Sequence, residues 1–397
     1  MISELGKISD GSLLTEEGII DVPGLASRWV RLADGRRAHY VTSGDKGPSI
    51  VLLHGSIEGS SGSAGFRYMA PALGALGFRV YCPDRPGYGI ADTSRADYVA
   101  HDPKAQIEFL RMFADALCLD RFHLGGNSGG CILSAYFAVN HPERVRSLFL
   151  IAGLIGDICE IAAIPQKLPI SQGKFTSNPN FKGGPWKGTE EDMHEAMQSI
   201  VYGEKPVPAE LTKMRTLAGL MQRAGRERLG VMYAAFPTDN PQIDVVMSTK
   251  NRLDKLTIPM IYLFGLQDVI SAVENGFKQE DSAPNIQFFY PDRCGHQGQT
   301  DRPELFNRVA FEFFHTGKVS WPAAVEAGVS LRRPINPELV EQPAGGFPPP
   351  APEIYADPAS LSAGLKARGL LLATVVQNPY RPAPTRLTPP FALPPTL

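Results

Sequence analysis

The chain has 397 residues, of which 43% are hydrophobic and 20% are charged, and its formal net charge is −2. This composition is typical of a globular protein with a sizeable core, and the balanced charge argues against nucleic acid as a partner. No apolar run reaches the roughly 18 residues of a membrane span, and residues 1–21 lack a basic-then-apolar signal pattern, so we expect a cytoplasmic protein without membrane contact.

Strand and helix patterns alternate from about residue 27 to residue 153. The first prediction is a hairpin, with strands at 28–32 and 37–42 around the turn Ala33-Asp-Gly-Arg. Short apolar strands are then predicted at 50–54, 79–83, 122–124 and 147–152, with helices at 104–117 and 130–139. This alternation with short turns predicts an α/β fold with a parallel sheet covered by helices.

The strand pattern disappears between about residues 154 and 256. Helices are predicted there at 189–202 and 208–233, which indicates a helical cap inserted into the α/β core. Inserted elements of this kind usually cover active sites. The core pattern returns with strands at 259–264 and 286–290 and a helix at 301–315. The predicted divisions are a core in two parts (1–153 and 257–318), a cap (154–256) and a C-terminal extension (319–397).

The extension differs in composition from the rest of the chain. Roughly half of the 35 prolines follow Lys318, and runs such as Pro348-Pro-Pro favour extended polyproline segments. One helix is predicted at 358–373. The apolar content favours docking of the extension, either on the core or between protomers of a homo-oligomer, over a disordered tail.

A candidate nucleophile lies in Gly126-Asn-Ser-Gly-Gly130, between the strand at 122–124 and the helix at 130–139. This is the context of the G-x-S-x-G bend, in which flanking glycines keep Cβ atoms out of a tight strand-to-helix turn. The bend exposes the hydroxyl of Ser128 and directs the N–H groups of the helix start at a bound oxygen. A merely structural glycine turn is the alternative.

An acid and a histidine complete a possible catalytic set. Asp268 follows a predicted buried strand, and an acid there can orient a histidine, although it could also cap the next helix. Asp157 is a rival acid, but the chain order Ser…Asp…His favours Asp268. His296 is in a loop after a strand, whereas the other histidines considered are in strand patterns or at helix ends, so we predict that His296 is the base.

The turn His54-Gly-Ser56 ends the first central strand and can present the N–H of Ser56. Together with the N–H of Gly129, it would give two donors for an oxyanion. The loop Asp84–Gly89 is interpreted as organising the rim of the site and not as taking part in the chemistry. No metal-ligand spacing and no glycine-rich nucleotide motif occurs, so neither a metal nor a cofactor is expected. The five cysteines form no CxxC pair, and we predict buried free thiols.

Five short stretches in this order resemble the α/β-hydrolase superfamily over about residues 27–318. They are His54-Gly, Asp84-Arg-Pro-Gly-Tyr-Gly, Gly126-Asn-Ser-Gly-Gly, Gly265-Leu-Gln-Asp and Cys294-Gly-His. The resemblance implies a mostly parallel eight-stranded sheet with a cap, and a triad of Ser128, His296 and Asp268. A serine instead of an aspartate at the bend disfavours haloalkane dehalogenases and epoxide hydrolases.

Within the superfamily, the chain is most similar to the meta-cleavage-product hydrolases, which split a C–C bond in vinylogous diketo acids from aromatic degradation. The similar stretches are His54-Gly-Ser, Gly59-Ser-Ser-Gly, Gly126-Asn-Ser, Glu210-Leu-Thr-Lys-Met-Arg215, Cys294-Gly-His and Arg302-Pro-Glu-Leu-Phe-Asn307. The resemblance implies that Arg215 binds the carboxylate-bearing end of the substrate, with a solvated surface arginine as the alternative. It also implies that Asn127 lines the pocket.

Two positions depart from that family, and they bear on the substrate more than on the reaction. Gln297 follows the histidine where the family usually has tryptophan, and it is a further candidate for substrate contact. Gly65 replaces an asparagine that helps to bind the dienoate end. The reaction class is therefore carried over more firmly than the substrate.

The leading prediction is a serine hydrolase without a cofactor that cleaves a C–C bond next to a carbonyl in a small-molecule diketone from aromatic-compound breakdown. A carboxylesterase or lactonase would use the same triad. A cofactor-free dioxygenase would instead use the His–Asp pair to deprotonate its substrate. A non-catalytic ligand receptor on this fold is the remaining alternative.

Overall fold

A computed structural model describes residues 22–92, 103–156, 186–202, 206–229, 248–356 and 358–370. The strands are β1 Ala26–Arg31, β2 Arg37–Ser43, β3 Ser49–Leu53, β4 Arg79–Pro83, β5 Phe122–Asn127, β6 Val145–Ile151, β7 Met260–Leu263 and β8 Gln287–Phe289. The helices are α1 Gly62–Phe66, α2 Met69–Ala75, α3 Pro103–Ala116, α4 Gly129–Asn140, α5 Glu190–Ile200, α6 Ala209–Leu229, α7 Val273–Ser282, α8 Gly298–Asp301, α9 Pro303–Thr316, α10 Trp321–Glu326 and α11 Pro358–Ala367. None of the described helices is long and apolar enough to cross a membrane.

The strands form one sheet in the order β1-β2-β4-β3-β5-β6-β7-β8. The hairpin strands β1 and β2 are antiparallel, β2 also pairs antiparallel with β4, and all other neighbours are parallel. Strand β3 is buried along its whole length, because helices cover both faces of a parallel sheet. The predicted fold, a mostly parallel eight-stranded sheet covered by helices, is confirmed.

Two short helices between β3 and β4 escaped the sequence analysis. Helix α1 begins after Ser61, whose hydroxyl accepts a hydrogen bond from the Ala64 N–H, and two of its five residues are glycines. Glycine disfavours helix formation, so packing and the serine cap decide this element against its intrinsic propensity.

Helices α5 and α6, which lie within the predicted cap, take part in a separate hydrophobic cluster. It comprises residues of α5 and α6 with a few from the core, and its buried members include Trp186, Met193, Met197, Leu211 and Met214. Helix α5 begins after Thr189, whose side chain accepts a hydrogen bond from the Asp192 N–H. Residues 157–185, 203–205 and 230–247 of the predicted cap lie outside the described residues.

The extension packs on the core as far as it is described. Val329 forms an antiparallel bridge with Phe289 of β8, and the Tyr355 ring lies 5.3 Å from the Phe277 ring of α7. Several extension residues are fully buried in the main hydrophobic cluster. Docking on the core is thus confirmed for residues 319–356 and 358–370, whereas residues 371–397, including the end of the helix predicted at 358–373, lie outside the described residues.

The cysteine prediction needs one correction. Cys82, Cys131 and Cys294 are buried free thiols, but Cys118 is exposed. It follows the end of α3 with a positive φ of 54°, in a turn at the surface instead of in the core. Cys159 lies outside the described residues.

Candidate active site

Ser128 occupies a strained bend at the carboxyl edge of the sheet. Strand β5 ends at Asn127, helix α4 begins at Gly129, and Ser128 between them has φ 57° and ψ −120°. Its N–H lies 3.0 Å from Ile151 O and 2.6 Å from Ala152 O of the neighbouring strand end. A side chain held at positive φ typically costs about 1–3 kcal/mol and is found mainly at functional sites.

The glycines on either side explain how the chain makes this bend. A Cβ at Gly126 would clash with the carbonyl oxygen of Gly130, and a Cβ at Gly130 would clash with that of Leu53. Any larger residue would therefore push α4 away from β3 and β5. The glycine spacing that suggested a nucleophile bend in the sequence is required by these close backbone approaches.

The two predicted oxyanion donors lie beside Ser128. A Cβ at Gly129 would clash with the Ser56 hydroxyl, and a Cβ at Gly55 would lie 3.2 Å from the Ser128 Cβ. Gly129 is the first residue of α4, so its N–H has no acceptor within the helix. The structure thus brings Ser56, Ser128 and Gly129 together, with the start of a helix facing the site.

Asp268 and His296 form a buried pair at the same edge of the sheet. Each follows a parallel strand, and Asp268 Oδ2 lies 2.8 Å from His296 Nδ1. Asp268 Oδ1 accepts the N–H groups of Ile270 and Ser271, which fixes the carboxylate. His296 Nε2 is buried and has no hydrogen-bond partner in the described part of the chain. The pair is arranged as in an acid-oriented general base.

Neither Asp268 nor Ser271 caps the following helix. Helix α7 begins at Val273 after Ala272, and no side chain caps it. The helix-cap interpretation of Asp268 therefore does not account for its contacts, whereas the bond to His296 does. Asp157, the rival acid, lies outside the described residues.

The two predicted pocket residues next to Ser128 and His296 bond to each other. Gln297 Nε2 donates to Asn127 Oδ1 at 3.1 Å, and Asn127 Nδ2 donates to His296 O at 3.1 Å. Asn127 therefore ties the nucleophile bend to the histidine loop. Both residues were expected from the sequence only to contact the substrate. Their positions next to Ser128 and His296 were the signal for this anchoring role.

The cap also holds the histidine loop. The His296 N–H donates to Ile200 O at the end of α5, at 2.9 Å. Asp301 accepts the N–H of Tyr202 from the cap at 2.9 Å and that of Gly295 from the loop at 2.7 Å. The backbone of the candidate base is therefore fixed by core and cap together.

Arg215 of helix α6 is buried, which contradicts the alternative of a solvated arginine. Only 2% of its surface is exposed, and its guanidinium contacts the Ser60 hydroxyl at 3.2 Å and Met197 Sδ at 2.8 Å. No carboxylate of the described residues forms an ion pair with it. Burial lowers the pKa of Arg215 to about 10. Ser60 belongs to the loop that begins with His54-Gly-Ser56, the predicted oxyanion turn, so this buried charge adjoins the candidate site.

A second Ser–His–Asp arrangement exists in the hairpin. Ser27 Oγ lies 2.9 Å from His39 Nε2, and His39 Nδ1 lies 2.8 Å from Asp84 Oδ2. Ser27 pairs with Val41 inside β1 and is not at a helix start. Asp84 also accepts the N–H of Gly62 and of Ile90. We interpret this array as a structural link between the hairpin and the loop after β4.

Comparison with known proteins shows similar sequences among hydrolases. A family model described as the alpha/beta hydrolase fold matches residues 48–180. The 2-hydroxy-6-oxononadienedioate/2-hydroxy-6-oxononatrienedioate hydrolase of Paraburkholderia phymatum is 28% identical over 291 residues, which are 72% of this chain and 95% of the relative. The enzyme of the same name from Burkholderia vietnamiensis is 28% identical over 299 residues, 74% of this chain and 98% of the relative.

Solved structures share the fold. A meta-cleavage product hydrolase from Pseudomonas fluorescens IP01 has a TM-score of 0.57 at 23% identity and covers 73% of this chain and 98% of its own. The 2-hydroxy-6-oxo-6-phenylhexa-2,4-dienoate hydrolase from Rhodococcus sp. strain RHA1 has a TM-score of 0.57 at 20% identity, with coverages of 73% and 99%. A carboxylesterase from Bacillus subtilis has a TM-score of 0.54 at 19% identity, with coverages of 79% and 98%.

Proposed function

We propose that this chain, which has an α/β-hydrolase fold, hydrolyses the C–C bond next to a ketone in a vinylogous diketo acid. The observation that carries this choice of substrate is the buried charge of Arg215, which adjoins the candidate active site and has no carboxylate partner among the described residues. A simple ester hydrolase does not need such a charge, whereas a carboxylate-bearing substrate would neutralise it.

The proposed first step uses Ser128 as the nucleophile and His296 as the base. His296, oriented by Asp268, takes the proton of the Ser128 hydroxyl, and the Asp268 carboxylate stabilises the imidazolium that forms. Ser128 Oγ attacks the ketone carbon. The negative charge on the ketone oxygen is accepted by the N–H groups of Ser56 and Gly129.

Cleavage of a C–C bond then requires a stabilised carbanion. When the C–C bond breaks, its electron pair is delocalised into the conjugated second carbonyl of the substrate, and the imidazolium of His296 returns its proton to that fragment. Water, activated by His296, releases the other fragment as a carboxylic acid. A direct attack of water on the ketone through a gem-diol would use the same groups and give the same products.

The names of the relatives agree with a substrate of this type. The hydrolases of Paraburkholderia phymatum and Burkholderia vietnamiensis are named for dienedioates, which are conjugated keto acids with two carboxylates. In this chain, Arg215 would bind one carboxylate with the help of the Ser60 hydroxyl.

A chromophore assay tests the proposal. Purified protein is mixed with 2-hydroxy-6-oxononadienedioate, with 2-hydroxy-6-oxo-6-phenylhexa-2,4-dienoate and with p-nitrophenyl esters, and products are identified by mass. With the wild type we expect the dienoate absorbance to disappear and two acid fragments to form. With Ser128→Ala we expect the dienoate absorbance to remain. Ester turnover without keto-acid cleavage would identify a carboxylic ester hydrolase instead. Equal rates for Ser128→Ala and wild type would contradict both assignments.

A further inference from the structure

Arg85, in the loop after β4, contacts the oxyanion turn. Only 1% of its surface is exposed, and its guanidinium lies against the turn His54-Gly-Ser56. We propose that Arg85 is a positioning residue that holds this turn and places positive charge beside the oxyanion donors. The proposal rests on the proposed function, because it concerns the same site.

Four hydrogen bonds fix the turn to the loop, three of them from Arg85. Arg85 Nη2 donates to Gly55 O at 2.6 Å and to the Ser56 hydroxyl at 2.9 Å, and the Arg85 N–H donates to His54 Nε2 at 3.0 Å. Tyr88 of the same loop donates its hydroxyl to Ser56 O at 3.2 Å, and its ring lies 4.8 Å from the guanidinium carbon of Arg85. Each of the three residues of the turn therefore has a hydrogen bond from Arg85 or Tyr88, in the loop that follows β4.

The direction of the guanidinium is fixed as well. Arg85 Nη1 donates to Gln106 Oε1 of helix α3 at 2.6 Å, and Gln106 is itself buried. These contacts use both terminal nitrogens of the guanidinium, Nη1 and Nη2, so the group has little freedom to rotate. A lysine could not make the same set of bonds, because its ammonium is a single point of contact.

The charge of Arg85 also adjoins the second donor. A Cβ at Gly129 would lie 3.5 Å from Arg85 Nη2, next to the Ser56 hydroxyl. The cation is therefore close to both residues whose N–H groups face the developing oxyanion. In a site shielded from water, a fixed charge at such a distance stabilises the transition state more than it would in water.

His54 is adapted to this arrangement. The pKa of His54 is lowered to about 3, mainly by burial and secondly by the charge of Arg85. The ring is thus neutral at ordinary pH, with one nitrogen accepting the Arg85 N–H and the other bonding to Gly55 O at 2.8 Å. The sequence analysis assigned the Asp84–Gly89 loop only to the rim of the site, whereas the structure places its arginine directly against the oxyanion turn.

Paired variants test the role of Arg85. Arg85→Met removes the charge and the contacts, and Arg85→Lys keeps only the charge. The control is Arg252→Met, because Arg252 bonds to Val139 O and Ser248 O near the opposite end of α4. The readouts are kcat and KM on the substrate that the wild type turns over, and the affinity for an aryl boronic acid, which forms a tetrahedral anion on a nucleophilic serine.

We expect Arg85→Met to lower kcat about 10- to 100-fold, somewhat less than the loss of a whole oxyanion donor, with KM within about threefold. Boronate affinity should fall by a similar factor, and Arg85→Lys should recover part of both. If Arg85→Met does not fold, Arg85→Lys and Tyr88→Phe are compared, and both should lower kcat and boronate affinity together.

Unchanged kcat, or reduced kcat with unchanged boronate affinity, would overturn the role of Arg85. Failure of the proposed function is seen separately, as activity that survives Ser128→Ala or as cleavage of esters alone. In the ester case, the role of Arg85 still stands if its variants behave as expected, because both reactions form the same oxyanion.

Discussion

On the core side of the candidate site, backbone hydrogen bonds hold Ser128 and Asp268. On the side of helix α6, the hydrogen-bond partners of the Arg215 guanidinium among the described residues are a hydroxyl and a thioether. Ser128 is fixed through its N–H and Asp268 through the N–H groups of Ile270 and Ser271. Arg215 contacts Ser60 and Met197. Core backbone groups therefore hold Ser128 and the Asp268 carboxylate, whereas the Arg215 charge has no carboxylate partner among the described residues.

Under the proposed function, the two regions have separate tasks. A preorganised nucleophile, base and oxyanion turn can act on many carbonyl compounds, because these groups engage only the reacting atoms. A buried and uncompensated cation is unfavourable in the free protein, and a carboxylate offsets that penalty on binding. Changes in the core should thus lower kcat for every substrate, and changes at Arg215 should act on KM for acids alone.

The largest effect is expected for Asp268→Asn. The amide still accepts the backbone N–H groups of the turn, but it presents a donor to His296 and so favours the wrong tautomer. We expect kcat to fall by about 10³-fold or more on both keto acids and esters. The control is Asp292→Asn, because Asp292 bonds to Gln267 in the adjoining loops without contacting His296. If kcat falls by less than tenfold, Asp268 is not the residue that orients His296.

A smaller and selective effect is expected for Arg215→Met. Loss of a charge-assisted hydrogen bond, about 1.5–3 kcal/mol, should raise KM for the keto acid about 10- to 100-fold. The kcat for a neutral ester should stay within about threefold, and thermal stability should not fall, because a desolvated charge is removed. Steady-state kinetics on both substrates provide the measurement.

The matched control for Arg215 is on the same helix. Arg223 donates to Glu58 at 3.3 Å and to Trp186 O at 2.8 Å, so its charge is already paired. Arg223→Met should leave the KM ratio of acid to ester unchanged. If it shifts that ratio as much as Arg215→Met does, the separation between a paired and a ligand-binding arginine is wrong.

Asp301→Asn probes the contact between the two regions. The two carboxylate oxygens of Asp301 accept the N–H groups of Tyr202 and Gly295. In asparagine, an NH₂ group replaces one of these oxygens, so one of the two bonds is lost and the His296 loop is held less firmly. A hydrogen bond to a charged group contributes about 1.5–3 kcal/mol, and the asparagine keeps one of the two oxygen acceptors. Because only part of this loss reaches the His296 ring, we expect kcat to fall about two- to tenfold on both substrates. Asp281→Asn, which alters an exposed pair with Arg332, should leave kcat unchanged. If only KM for acids changes, Asp301 acts on substrate binding, as expected for Arg215, and does not support His296.

The pH dependence of stability gives the smallest effect. The pKa of His54 is about 3 in the folded chain, below its ordinary 6.5, so between these values the unfolded chain binds a proton that the folded chain does not. The free energy of unfolding therefore decreases as pH falls below 6.5, by about 1 kcal/mol per pH unit from this residue.

Denaturant titrations at pH 6.5 and pH 5 measure that slope. His54→Gln should reduce it by about 1 kcal/mol per pH unit, even if the variant is less stable overall. His315→Gln, which changes an exposed residue at the end of α9, should leave the slope as it is. Equal slopes in wild type and His54→Gln would show that His54 is not held neutral by its buried position.

The sequence predicts at which edge of the sheet the candidate residues lie, but not how they are supported. Ser128, Asp268 and His296 each follow a buried strand, and parallel strands end at one edge, so a position at that edge could be inferred for all three. The burial of Arg215 depends on Ser60, which is 155 residues away, and on the packing of α5 against α6. No local pattern in the sequence contains that information.

The role of Arg85 was hidden for a similar reason. It reaches residues 54–56 because β4 lies beside β3 in the sheet, and strand order cannot be read from one segment at a time. The alternation of strands and helices predicted the class of the sheet but not which loops would touch. The contact between the Asp84–Gly89 loop and residues 54–56 exists only in the folded chain, so the supporting role of this loop could not be predicted from the sequence.

Covalent labelling tests the central claim, that Ser128 is the nucleophile, most directly. The wild type, Ser128→Ala and Ser27→Ala are treated with a fluorophosphonate, followed by intact-mass and peptide analysis. We predict one adduct on Ser128 in the wild type and in Ser27→Ala, with activity lost in proportion, and none in Ser128→Ala. An adduct on Ser27, or full hydrolase activity after complete labelling of Ser128, would contradict the account.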